Sequence, residues 1–177
     1  MISRRTFLDG LAGTAASAAI SSTAKSYAQI MGSNDRLNFA ILGLNGRGYA
    51  HLSSLKNNAA SARVSHICDV DSTILAKFST EAQSELGYAP IAEGDYRKIL
   101  DSKDVDVVTI ALPDHWHAPM AVLGLKAGKH VYVEKPSSHN PREGELLIEA
   151  QKKYGKLVQV GDQIGRASCR ERVSPRV

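Results

Sequence analysis

The sequence has little cysteine, little charge imbalance in its middle and no long apolar run. Its 177 residues include two cysteines, Cys68 and Cys169, too few for a disulfide framework. None is needed, because a chain of this length forms one domain or one and a fraction. A domain of this size buries roughly 68% of its unfolded surface without covalent staples. Hydrophobic residues make up 43% and charged residues 23%, the proportions of a soluble globular protein. The central part has no internal repeat and no low-complexity segment.

Excess charge is also missing from the core. The formal net charge is +4, but residues 29–163 carry 15 Lys/Arg against 16 Asp/Glu, a net of −1. That leaves no basic footprint for nucleic acid. The surplus sits at the two ends, which differ in character from the middle.

The start contains Ser3-Arg4-Arg5-Thr6-Phe7-Leu8, a weakly apolar Ala/Gly/Leu stretch and the small-x-small pattern Ser26-Tyr27-Ala28. This resembles a twin-arginine export signal with a cleavage site. The stretch is too short and too rich in Ser, Thr and Gly to anchor stably in a bilayer. Asp9 departs from the pattern, since many such signals are basic there. The expectation is a signal over 1–28, a linker over 29–36, and a periplasmic or otherwise exported product of the twin-arginine machinery. That route carries folded proteins, which suits a protein loaded with a cofactor before export.

The end, Ile164–Val177, has four arginines in fourteen residues and no apolar period. Read back into codons, Ile164–Val173 resembles a common sequencing-library adapter. The expectation is that the native frame ends near Gln163 and that 164–177 is a non-native tail.

Between these ends, strand-like and helix-like segments alternate. Leu37–Gly43, Arg63–Asp69, Ala89–Ala92, Val105–Ala111, His130–Glu134 and Leu157–Val160 read as strands. Helices are predicted over Gly46–Leu55, after an Asp71 N-cap to Gly87, over Asp95–Leu100, over Pro119–Ala127 and over Pro141–Tyr154. Alternation of this kind predicts an α/β fold of the Rossmann type, a doubly wound parallel sheet over residues 37–163.

Ligands in such sheets bind at the carboxyl ends of the strands, and polar clusters gather there. Gly43-Leu44-Asn45-Gly46-Arg47-Gly48 follows the first strand. Gly43 permits a sharp turn, and Gly46 and Gly48 permit close approach of a diphosphate to the helix N-terminus. Asn45 stands where the usual middle glycine would be, and Asn enters left-handed conformations more readily than most residues. Asp69 closes the second strand 21 residues after Gly48, near the spacing of about 20 for a ribose-binding carboxylate. A carboxylate there repels a 2′-phosphate, which favours NAD over NADP, while Arg47 could soften that exclusion. His115 and His117 form H-x-H, but no third and fourth ligand stands at a suitable spacing, so no metal is expected. Cys68, inside a strand, is expected to be buried rather than reactive.

The motifs GLNGRG, CDVD, DYRKIL, ALPDHWHAP and VEKPSSHN, in this order, resemble the N-terminal half of the Gfo/Idh/MocA oxidoreductases, from about Leu37 to Gln163. The resemblance implies that Gly43, Gly46 and Gly48 hold the diphosphate and that Asp69 holds the ribose, with Asn45 and Arg47 of the same turn also expected to bind the cofactor. It implies that Pro113, Asp114, Trp116 and His117 form the loop beside the cofactor, with Leu112 replacing the family's usual Thr. It also implies that Glu134, Lys135 and Pro136 form the E-K-P motif, in which Lys135 is the catalytic residue near the nicotinamide and the reacting hydroxyl. A lysine there can lower the hydroxyl's pKa or exchange its proton.

The function implied is NAD(P)-dependent hydride transfer at a sugar or polyol hydroxyl, by a protein that is a homo-oligomer when complete. The family's second α/β domain is missing, so this chain is expected to be truncated and inactive alone. The alternatives are a glycoside hydrolase that uses NAD by transient oxidation and a non-catalytic nucleotide-binding module. Lys135 weighs toward simple redox, because the hydrolase branch is expected to lack it.

Overall fold

The computed structural model describes residues 36–161. The export signal expected over 1–28, nearly all of the 29–36 linker and the 164–177 tail lie outside the described residues.

Six parallel strands form one sheet: β1 (Leu37–Leu42), β2 (Ala62–Cys68), β3 (Ile91–Glu93), β4 (Val107–Ile110), β5 (His130–Val133) and β6 (Val158–Val160). Their order is β3-β2-β1-β4-β5-β6. Five helices connect them: α1 (Arg47–Asn57), α2 (Ser72–Leu86), α3 (Tyr96–Asp101), α4 (His117–Lys126) and α5 (Pro141–Tyr154). A single 3-10 turn, Asp114–Trp116, leads into α4. The expected doubly wound α/β fold is the one observed.

Both sheet faces are covered, and the alternation along β1 shows how. Ala40 and Leu42 pack with Ile99 of α3, Leu125 of α4 and Leu147 of α5. Ile41, between them, packs on the opposite face with Leu52 of α1 and Phe78 of α2. Successive strand side chains point to opposite faces, so a strand buried on both sides must be apolar at every position. That is why β1 and β4 read as continuous hydrophobic runs.

The helix ends follow their local chemistry. Asp71 caps α2 by accepting from the Thr73 and Ile74 amides, and Gly87 closes that helix in the left-handed conformation. Asn140 caps α5 by accepting from the Glu143 amide. The expected start of α4 at Pro119 is corrected: the helix begins two residues earlier, at His117. Proline is tolerated there because its missing N–H falls among the first-turn donors that have no helical acceptor. Among the described residues, no helix is long and apolar enough to cross a membrane.

The strand order reverses between β2 and β4, which flank β1. The connections leaving β1 and β4 pass to opposite faces, and a crevice opens at the carboxyl ends between them. In sheets of this order, such a crevice is the ligand site.

Candidate cofactor site

The turn after β1 is built so that only glycine fits. Gly43 has φ +86°, and a Cβ there would lie 2.5 Å from the Ala111 carbonyl oxygen at the end of β4. A Cβ on Gly48 would meet the Gly43 carbonyl oxygen at 2.7 Å. Gly46, at φ 58°, is the residue before α1, and no side chain caps that helix. The first turn of α1 is held only by long backbone bonds, from the Gly48 amide to the Asn45 carbonyl oxygen (3.4 Å) and from the Tyr49 amide to the Gly46 carbonyl oxygen (3.3 Å), and it presents the positive end of the helix dipole to the crevice.

Asp69 sits opposite this turn, and two backbone amides fix its carboxylate. The Leu44 amide donates to Oδ2 (2.9 Å) and the Asp71 amide donates to Oδ1 (3.0 Å). Each oxygen keeps a second lone pair for a ligand hydroxyl. Helix capping falls to Asp71 instead.

A cavity of about 400 Å³ lies between these elements, lined by Gly43, Asn45, Asp69, Pro113 and Trp116 among others. Reasoning from the sequence missed the apolar part of the wall: Val70, Ile74, Tyr96 and Met120 also line it. Val70 is 91% exposed. An apolar residue right after Asp69, at the end of a strand, is a signal that the sequence carried and that a core-oriented reading passes over.

The remaining expected residues divide into two groups. Glu134, expected to touch cofactor, is buried, and its Oε1 is held by Arg47 Nη2 at 2.8 Å. His51 Nε2 approaches the same oxygen at 3.2 Å, but without hydrogen-bond geometry, so that contact is electrostatic. His51 was also missed from the sequence. It lies one helical turn beyond Arg47 on α1, and its ring meets Tyr132 edge-on at 5.4 Å. Burial pushes the His51 imidazole below its usual range; Arg47 acts in the same direction and Glu134 opposes both. The Glu134 hydrogen bond and charge raise the Arg47 guanidinium further. This knot ties the helix that follows the glycine turn to the segment that carries Lys135.

Lys135 and Pro136 are exposed beyond β5, and Asp114 is exposed in the 3-10 turn. His117 lies behind the loop at 2% exposure, with Nδ1 2.6 Å from the Pro136 carbonyl oxygen and Nε2 2.7 Å from that of Leu112. Both nitrogens are taken, so the H-x-H pair presents no free imidazole from His117 to a metal. Among the described residues, no group of three His, Cys, Asp or Glu is placed to hold one. Cys68 lines the crevice, and burial pushes its thiol up to about 12, with Asp69 adding to the shift. It is not a nucleophile at neutral pH.

The model of the oxidoreductase family with an NAD-binding Rossmann fold matches residues 37–162. The chain belongs to the Gfo/Idh/MocA family. Among curated relatives, inositol 2-dehydrogenase of Salmonella typhimurium is 33% identical over 130 residues, covering 71% of this chain and 36% of the relative. Glycosyl hydrolase family 109 protein 2 of Shewanella sp. (strain ANA-3) is 35% identical over 169 residues, covering 82% and 36%. The chain thus spans about a third of the length of these relatives. The solved structure of myo-inositol 2-dehydrogenase from Lactobacillus plantarum aligns with TM-score 0.65 at 25% identity, over 77% of this chain and 39% of that one. Levoglucosan dehydrogenase, solved with NADH and levoglucosan, aligns with TM-score 0.59 at 28% identity, over 71% and 34%. The glycine cradle, the α1 N-terminus and the fixed Asp69 fit the NAD(P) cofactor of a Gfo/Idh/MocA domain.

Proposed function

We propose that this chain is the cofactor-binding part of an exported NAD-dependent oxidoreductase acting on a sugar or polyol hydroxyl. The observation that carries the reading is the pairing of the glycine turn with Asp69, whose carboxylate is fixed by the Leu44 and Asp71 amides. Gly43, Asn45, Gly46 and Gly48 would hold the diphosphate against the N-terminus of α1. Asp69 would accept hydrogen bonds from the adenosine ribose. Pro113 and Trp116 would form one wall of the crevice, with Asp114 at its rim.

Arg47 is committed to Glu134 at 2.8 Å, so it is not free to welcome a 2′-phosphate beside Asp69. That favours NAD over NADP more firmly than the sequence suggested. Bound dinucleotide supplies a nicotinamide C4 that accepts or returns a hydride. When the alcohol is oxidised, its C–H bond gives up a hydride and its O–H proton leaves to a base. Lys135 is the group of this chain assigned to that proton. Glu134, held by Arg47 with His51 beside it, would fix the backbone from which Lys135 extends. The substrate's remaining contacts, a second α/β domain and a homo-oligomer contact belong to the complete protein in this reading.

The test is a fluorescence titration of the chain with NADH and NADPH. Micromolar affinity for NADH, with NADPH weaker by about tenfold or more, is expected. No NADH binding up to about 1 mM would overturn the reading.

Export rests on the Arg4-Arg5 pair and the Ser26-Tyr27-Ala28 pattern. Residues 1–28 fused to a folded reporter should carry it across the inner membrane, and Arg4→Lys with Arg5→Lys should stop it. Reporter that stays inside with the native sequence would refute export.

A second reading is favoured by the 35% identity to the family 109 protein over 82% of this chain. In it, the complete protein cleaves a glycoside after transient oxidation of the sugar, and the same NAD returns the hydride. Release of phenol from an aryl glycoside without net NADH formation would select this reading over simple redox.

A further inference from the structure

The His117 ring presents a problem of proton count. Its Nδ1 lies 2.6 Å from the Pro136 carbonyl oxygen, and its Nε2 lies 2.7 Å from the Leu112 carbonyl oxygen. Carbonyl oxygens only accept, and a neutral imidazole has a single N–H. In the neutral ring, one nitrogen would direct its lone pair at an oxygen lone pair at hydrogen-bonding distance. Water does not relieve this, because His117 is only 2% exposed. A proton on each nitrogen satisfies both contacts.

We propose that His117 is a positioning residue that acts as an imidazolium clamp, donating from both ring nitrogens to tie the loop after β4 to the loop after β5. Leu112 stands in the wall of the crevice. Pro136 directly follows Lys135. The clamp therefore sets the spacing between the crevice wall and the lysine assigned to the reacting hydroxyl. Its effect on cofactor rests on the proposed dinucleotide reading; its protonation does not.

On the adjoining elements the ionisable groups are Asp114 and His115 in the 3-10 turn, Glu134 and Lys135 at the end of β5, and His139, Arg142 and Glu143 before and within the first turn of α5, with Lys126 at the far end of α4 and Glu145, Glu149, Lys152 and Lys153 farther along α5. The Glu134 carboxylate is held by Arg47, with His51 Nε2 beside it. The Glu143 carboxylate accepts from the His139 amide and the Asn140 side chain. Among the described residues, the hydrogen-bond partners of the His117 ring are the two carbonyls. The ring is also the first residue of α4, where the helix dipole disfavours a cation. Loss of one proton breaks one of the two bonds and leaves the loops joined by a single contact.

The experiment uses the full 177-residue chain labelled with 15N-histidine. At about pH 5.5, the His117 ring should show two protonated nitrogens and two slowly exchanging N–H protons. Nuclear Overhauser contacts from those protons to Pro136 and Leu112 assign the ring without a substitution. As pH rises and one proton leaves, the Lys135 and Ser137 amide signals should shift in step with the ring. NADH affinity should fall about tenfold across the same step, the effect of losing one charged hydrogen bond. His117→Gln should remove that step from the affinity profile.

A single neutral tautomer at about pH 5.5 in a folded chain would overturn the clamp. So would NADH affinity that stays flat while the ring titrates. A chain with both protons in place and no NADH binding would sink the cofactor reading and leave the protonated clamp standing.

Discussion

Asp69 and Glu134 are both carboxylates at strand ends on the same edge of the sheet, yet their surroundings give them different work. Asp69 receives two backbone amides and faces the crevice. Glu134 is 3% exposed, accepts from Arg47 and has His51 Nε2 beside it at 3.2 Å. The spacing of 21 residues from Gly48 singled out Asp69 in the sequence. No spacing rule announces that an arginine and a histidine one turn apart on α1 will meet a glutamate 87 residues away. The Glu134 knot leads to a pH prediction. Burial holds the folded-state imidazole of His51 below its usual range, and the same cause acts on His66. The unfolded chain therefore binds more protons below about pH 6.5, and stability is lost as pH falls through that region. In His51→Gln, the urea midpoint should drop less steeply than in the native chain between about pH 7 and about pH 5. An equal or steeper drop would refute the assignment.

Most elements were recognisable from their caps and periods. Helix α5 runs Pro141–Tyr154, as proline at the first position and glycine after the last predict. Its N-terminus is doubly tied: Asn140 accepts from the Glu143 amide, while the Glu143 carboxylate returns to the His139 amide at 2.7 Å. That reciprocal arrangement is a variant of the capping box, with the returning carboxylate one residue earlier, on the amide before the N-cap. Asn140→Ala should cost about 1 kcal/mol, read as a shift of the denaturation midpoint at unchanged slope. A change within error would mean that the Glu143 arm alone holds the end. Helix α4 was harder to place. Pro119 suggested a start that the chain anticipates by two residues, because the 3-10 turn and the His117 contacts set the helix in place before the proline. These contacts join residues from two different loops, so a local window does not contain them.

At the scale of the molecule, the crevice is a place where the β1, β2 and β4 ends are brought together by strand order. A ligand spanning that crevice binds the folded chain and not the unfolded one, so it should stabilise the whole domain. At a concentration of NADH about 100 times its dissociation constant, the gain is about 2.7 kcal/mol. For a chain of this size, that raises the thermal midpoint by roughly 5–10 °C, measurable by differential scanning fluorimetry. NADPH at the same concentration should raise it less. An equal rise with both would count against the selectivity assigned to Asp69 and Arg47.

By itself the sequence determined the strand-helix alternation, the sheet's parallel character and the glycine turn with its carboxylate. These follow from short-range rules: apolar period, cap chemistry and the φ that only glycine enters cheaply. Tertiary structure alone decided that Arg47 and His51 share Glu134, that His117 stands behind the loop with a carbonyl at each nitrogen, and that Val70, Ile74, Tyr96 and Met120 complete the crevice. Each of these depends on where strands distant in the chain come to lie side by side. That placement is set by burying both faces of the sheet at once, a condition on the whole chain that no short segment encodes.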